Sequence, residues 1–150
     1  MSFVGPIVPD ALAGADRWQC ATLQQFAWAE RHVVRALSQS GLKVSAGTPL
    51  GGKITALLTA LSADPSRAPA VALLAEYGGF KPLRDRLCHG LVKVFAARDG
   101  DWVIRLMLPT ETEADALLLG RQVAEAQRRR VQSWASKLGS ALDRISFTHD

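Results

Sequence analysis

Leu50, Ile54, Leu57, Leu58 and Leu61 recur at i, i+4, i+7, i+8 and i+11, the spacing of one face of an α-helix. Thr48 is a good N-cap for this segment, and Pro49 suits the first helical position, where its missing N–H costs nothing. Asp64-Pro65 ends it. Such a stripe has to be covered by other elements, and the rest of the chain supplies candidates at the same period. A first helix is expected over 16–40, capped by Asp16 and stopped by Gly41, with Trp18, Phe26, Ala29, Val33 and Leu37 near helical spacing. Leu23, Trp28 and Val34 spill beyond that stripe, so this helix is expected to be covered on more than one side.

A third helical stretch is expected over 69–90, interrupted or kinked near Gly78-Gly79 and Pro82. The pattern then changes. Residues 91–97 and 101–108 are short β-prone runs around Arg98-Asp99-Gly100, and Asp-Gly between such runs signals a hairpin. Thr110-Glu111-Thr112-Glu113 fits a capping box, with Thr110 as cap, opening a long last helix to Ser146. Leu117, Ala124, Val131, Leu138 and Ile145 keep a seven-residue spacing there, which suits packing along a bundle or against a second subunit. The expected fold class is therefore all-α: a four- to five-helix bundle with a small β-hairpin before a long C-terminal helix. Its expected division is an irregular lead-in over 1–15, one helical domain over 16–146 and a tail over 147–150.

The composition agrees with a folded domain and excludes several function classes. At 150 residues with 48% apolar and 21% charged side chains, the chain can bury a core and is not of disordered type. A net charge of +4 permits a polyanionic partner without demanding one. Cys20 and Cys88 form neither a disulfide framework nor a CxxC zinc pair, so both are expected reduced in a cytoplasmic protein. The first residues lack a basic n-region and a long apolar run, and no stretch has the length of an apolar membrane span. No metal-ligand cluster, Gly-rich phosphate loop or Ser-His-Asp set is present, so no metal or cofactor is expected.

The segment that can carry chemistry is Leu83-Arg84-Asp85-Arg86-Leu87-Cys88-His89-Gly90. Leu83 and Leu87 face the core at i, i+4 and leave Arg84, Asp85, Arg86 and His89 on other faces. A histidine titrates near neutral pH and can serve as base or acid. An arginine offers a planar fork matched to phosphate oxygens. Arg84 and His89 are five residues apart, about 140° around a regular helix, so one helix does not easily converge both on one phosphate. Two such helix ends from two subunits would. Asp85 is four residues before His89, on the same face, and is expected to orient its imidazole.

The arginine, polar neighbour and later histidine near a helix end resemble the signature of the HEPN superfamily. Similar sequences carry Asn where this chain has Asp85 and Ala where it has Cys88. Trp28-Ala29-Glu30, Gly52-Lys53-Ile54, a hairpin after His89-Gly90 and a long last helix extend the resemblance over roughly residues 16–145. The resemblance implies a metal-independent endoribonuclease that cuts RNA by attack of its own 2′-OH at a composite site in a homodimer. Arg84 would bind the phosphate, His89 would do acid/base work and Asp85 would orient it. Arg86, Lys53 and Arg128 would be RNA-binding residues. A toxin or defence role with an antitoxin partner is implied by analogy alone. The alternative is a non-catalytic helical module for nucleotide binding or protein interaction.

The plainer readings stand beside these. His89 can be a helix-end histidine bonding a carbonyl beside a glycine. Arg84 and Arg86 can pair with acids on a solvated face. Cys88 suits a small buried hydrophobe. Glu30 and Lys53 are lone charges in apolar helices, suited to a surface position. Arg128-Arg129-Arg130 spread over most of a helix circumference and so are not expected to form one patch. The four tryptophans suit core anchors better than base-stacking platforms.

Overall fold

A computed structural model describes residues 9–147. It is mostly helical, with five α-helices and a three-stranded antiparallel sheet in the order α1 (Pro9–Gln39), α2 (Leu50–Leu61), α3 (Ala68–Ala75), α4 (Tyr77–His89), β1 (Leu91–Ala96), β2 (Trp102–Met107), β3 (Leu117–Gly120) and α5 (Arg121–Asp143). Short 3-10 turns lie at Pro65–Arg67 and Glu113–Asp115. No helix among the described residues is long and apolar enough to cross a membrane.

The chain divides into two compact units. One takes residues through Gln24 together with Pro82–Val131; the other takes Gln25–Lys81 and the residues from Gln132 on. The sequence-based expectation of one domain over 16–146 thus corresponds to two clusters of internal contacts.

In the first unit the sheet has the order β1-β2-β3. β1 pairs with β2 from Leu91 opposite Met107 to Ala96 opposite Trp102. The expected hairpin is present, with Gly100 in the left-handed region at φ 82° and its N–H donating to the Ala97 carbonyl. The all-α expectation is corrected by β3. Leu117-Leu118-Leu119-Gly120 was expected to open the last helix, yet it forms a second edge, with Ile104 opposite Leu119 and Val103 opposite Gly120. β2 is buried at Trp102, Val103, Ile104 and Leu106. A strand so enclosed needs partners on both edges for its backbone, and that need overrides the helical preference of leucine. Leu119 turns into the core while Leu118 stays exposed, the alternation of a strand.

The capping box is corrected with it. The Thr110–Glu113 segment precedes a 3-10 turn rather than a helix, and α5 begins only at Arg121 and ends at Asp143, short of Ser146. At the other end every described residue of the expected lead-in, from Pro9 on, belongs to α1, and Asp16 lies inside the helix. Trp18 ties α1 down: it is 1% exposed, donates from Nε1 to the Ala124 carbonyl at 2.7 Å, and packs its ring 6.0 Å from that of Trp102.

In the second unit α2 keeps the expected stripe, with Leu50, Ile54, Leu57 and Leu61 buried. Its N-cap is Pro49 rather than Thr48, with no side-chain cap bond. The expected break at Gly78-Gly79 falls instead at Glu76, and both glycines and Pro82 lie inside α4. Trp134 organises this unit. Its Nε1 donates to the Leu73 carbonyl at 2.7 Å, and its ring lies 5.3 to 6.3 Å from those of Phe80, Tyr77 and Phe26. Phe147, assigned to the tail, lies under the Arg67 guanidinium at 5.2 Å.

His32 is a packed histidine of this unit. A side chain at Gly139 would meet its ring, with Nε2 only 2.6 Å from the Cβ position. Burial first, then the neighbouring Arg35 and Arg31, hold its pKa below the ordinary 6.5. The Asp143 carboxylate 3.9 Å away pulls in the opposite sense, but it is engaged by Arg35. The unfolded chain therefore takes up this proton more readily than the folded one. Stability is expected to fall as pH drops below about 6.5 and to be unaffected by this group above it. Urea midpoints measured from pH 7.5 down to 5 should show that decline, and His32→Gln should flatten it.

Gly90 and Gly79 provide a second test. A Cβ at Gly90 would sit 2.3 Å from the Arg86 carbonyl oxygen and 3.0 Å from that of Met107, whereas one at Gly79 would meet nothing within 4 Å. Gly90→Ala is expected to cost about 1–3 kcal/mol through this clash. Gly79→Ala is expected to gain roughly 0.5–1 kcal/mol as a helix-interior replacement. Chemical denaturation of the two variants checks both signs.

Candidate functional site

The Arg84–Gly90 segment closes α4 and passes directly into β1, as expected. Leu83 and Leu87 are buried at 6% and 8% exposure, so they anchor the helix and set the faces of the residues between them. His89 is the last residue of α4 and is exposed. Among the described residues its side chain has no hydrogen bond or ion pair. The Arg84 side chain is 18% exposed, and its Nη1 lies 3.7 Å from the Asp85 carboxylate. The expected support of His89 by Asp85 is thus not found in this structure, while Asp85 lies beside Arg84 instead. Asp85 follows Arg84 directly, and a flexible arginine reaches a neighbouring carboxylate more easily than a short aspartate spans a helical turn to an imidazole.

Gly90 accounts for the end of the motif. Its N–H donates to the Arg86 carbonyl at 2.9 Å, and its φ is not positive. Glycine is required here by the close approach of two backbone oxygens rather than by a left-handed cap. The glycine after His89 therefore has a packing reason, while the exposure of His89 does not.

Arg86, expected to bind RNA, is engaged within the chain. Its Nε and Nη2 donate to the two carboxylate oxygens of Glu111 at 3.2 and 2.5 Å. It also reaches the Pro82 carbonyl at 3.1 Å. Glu111 in turn accepts from the Leu108 N–H at 3.0 Å. Both side chains are largely covered, at 16% and 17% exposure. The pair fastens α4 to the segment leaving β2, and a guanidinium so engaged has little left for a phosphate.

Lys53 is committed as well. It lies in the second unit, where its Nζ donates to Glu30 at 2.7 Å with 12% of the lysine side chain exposed. Glu30 and Lys53, read as lone charges, are each other's partner. Cys88 and Cys20 are both exposed, so the expectation of a buried Cys88 is corrected. Among the described residues no group of His, Cys, Asp or Glu could hold a metal ion. His149 lies outside the described residues.

Arg128 is placed where the sequence alone gave little reason to look. It pairs with Glu125 at 3.0 Å and lines a cleft of 410 Å³ in the first unit together with Arg17, Arg121 and Arg129. The three consecutive arginines were expected to diverge, yet Arg128 and Arg129 border the same cleft. A signal for it existed: Arg121, Glu125 and Arg128 recur at i, i+4 and i+7, and Gly14, Arg17, Trp18 and Ala21 at i, i+3, i+4 and i+7. Such stripes are equally the pattern of a solvated face, so the period does not distinguish the two. Comparison with protein-family models, with curated proteins and with solved structures finds no match to this chain.

The contrast between the arginines is measurable. Arg86→Ala or Glu111→Ala is expected to cost about 2 kcal/mol, because each leaves a covered, hydrogen-bonded charge without its partner. Arg128→Ala is expected to stay within about 0.5 kcal/mol, as for a partly exposed i,i+3 pair. Thermal or urea unfolding of the three variants checks this ranking.

Proposed function

We propose that the chain is a metal-independent RNA-cleaving domain of the HEPN kind, acting through Arg84 and His89 at the end of α4. One observation carries the reading: His89 is exposed and without a side-chain partner at a helix end where Gly90 is fully explained by packing. An exposed imidazole without a partner, on the same helix end as a largely covered arginine, suits proton transfer at a phosphodiester. In this reading His89 takes the proton from the attacking 2′-OH or returns one to the leaving 5′ oxygen. Arg84 holds the non-bridging oxygens as charge accumulates on the phosphorane. Arg86 and Glu111 keep α4 in place rather than touching RNA.

A regular helix sets Arg84 and His89 about 140° apart, so the reading includes a second copy of the chain that completes the site. The surface beside His89 supports that. Leu91 and Val92 follow it on β1, an edge strand, and are 56% and 40% exposed. Exposed apolar residues on an open strand edge favour a partner that covers them. A cytoplasmic location and an antitoxin partner belong to the same proposal by analogy.

The second reading, a non-catalytic module, is favoured by the Arg84–Asp85 pair, since an arginine engaged by a carboxylate is less available to phosphate. One assay separates the two. Purified protein with labelled RNA in EDTA should give cleavage products ending in 2′,3′-cyclic phosphate. His89→Ala and Arg84→Ala should each reduce the rate at least a hundredfold, within the usual reach of acid/base and electrostatic groups. Asp85→Asn should raise it if the Asp85 carboxylate restrains Arg84. Absence of cleavage by the wild type, or equal rates in all variants, would sink the nuclease and leave the binding module.

A further inference from the structure

Four arginines converge on the 410 Å³ cleft of the first unit: Arg17 from α1, and Arg121, Arg128 and Arg129 from α5. Like charges gathered around one concavity repel, so the arrangement is costly unless something answers the charge. Two of them are partly answered within the chain. Arg121 pairs with Asp101 at 3.2 Å and Arg128 with Glu125 at 3.0 Å. Arg17 and Arg129 are exposed, and among the described residues their guanidinium groups have no hydrogen bond or ion pair. The cleft therefore keeps an unanswered positive charge at two forks.

Its wall adds a neutral donor. Trp102 lines the cleft, and its indole N–H has no hydrogen-bond partner among the described residues, although the residue is only 4% exposed. The other lining indole, that of Trp18, is satisfied by the Ala124 carbonyl. Glycine at position 14 is what admits the Trp102 ring beside α1, since a Cβ there would stand 3.0 Å from Nε1. Both indoles are too buried to offer a face to a base, and the one carboxylate on the lining, Glu125, is engaged by Arg128, so recognition falls to arginine forks and one N–H.

We propose that this cleft binds the phosphate backbone of a single-stranded nucleic acid. Seven to eight residues of α5 separate Arg121 from Arg128 and Arg129, a rise of roughly 11–12 Å. That length matches about three phosphates of a stacked strand at ~3.4 Å each. A single small anion would engage one fork, whereas a strand answers several at once. Planar guanidinium forks take phosphate bidentately. With the arginine forks taken by phosphate and Glu125 by Arg128, no group on the cleft is left to read a base, so binding is indifferent to sequence and to the sugar. The proposal rests on the RNA-directed reading of the chain only for its substrate; the cleft shares no residue with the Arg84/His89 site.

The test measures anisotropy of a short labelled single-stranded RNA across a salt series, in EDTA, with the full chain carrying His89→Ala so that cleavage does not intrude. Arg17→Ala/Arg129→Ala should raise Kd at least tenfold and lower the slope of log K against log salt by about 1.4, the loss of two phosphate contacts. Arg98→Ala/Arg144→Ala removes the same net charge outside the cleft and should change Kd less than twofold. DNA of the same sequence should bind as RNA does. Circular dichroism confirms that the exposed-arginine variants fold. Equal weakening by the two double variants, or an unchanged salt slope, would overturn the proposal. So would displacement of RNA by inorganic phosphate at equal phosphate concentration, which marks a single-ion site, or by polyglutamate at equal charge, which marks a carboxylate partner. Binding that depends on Arg17 and Arg129 in a protein that cuts no RNA supports the cleft and removes the nuclease. Cutting by the wild type, with affinity untouched by the Arg17/Arg129 change, does the reverse.

Discussion

Trp18 is the residue on which the first unit depends. Its indole is almost wholly buried, and its one polar atom donates to the Ala124 carbonyl, so a large apolar surface enters the core without an unsatisfied donor. That bond joins residues 106 positions apart in the chain. The ring also rests on Trp102 at the start of β2. One side chain thereby fixes α1, the first turns of α5 and the sheet to one another. The cleft arginines are carried by those same segments, so their convergence follows from where Trp18 sits.

The second unit repeats the solution with different residues. Trp134 is buried, donates to the Leu73 carbonyl and gathers Phe26, Tyr77 and Phe80 around its ring. The charged groups beside each core are settled locally as well. Lys53 finds Glu30 and Arg86 finds Glu111. These pairings show why a basic residue in a suggestive motif is a poor guide by itself: a covered guanidinium or ammonium must be paired, and the partner is often remote in sequence.

His89 stands out against that background. The neighbouring polar residues of α4 are paired or partly covered, and Gly90 is dictated by backbone contact. His89 is left exposed at the junction of helix and edge strand with Leu91 and Val92 beside it. The exposed imidazole and the uncovered strand edge beside it are the surface on which the proposed RNA chemistry and the proposed second copy both rest, with the largely covered Arg84 five residues earlier on another face of α4.

Much of the architecture was legible in the chain itself. The α2 stripe, the part of the seven-residue spacing at Ala124, Val131 and Leu138, the Asp99-Gly100 turn and the anchoring of Arg84–His89 by Leu83 and Leu87 all follow from local periodicity and turn chemistry, which act over a few residues. What tertiary structure alone decided is of another kind. β3 exists because β2 is enclosed and needs a second edge, against the helical preference of Leu117–Leu119. Arg86 meets Glu111 and Arg128 lines a cleft through contacts that local spacing does not encode. Position in sequence sets which face of an element a side chain occupies; only packing decides what that face meets, because the partners come from distant segments.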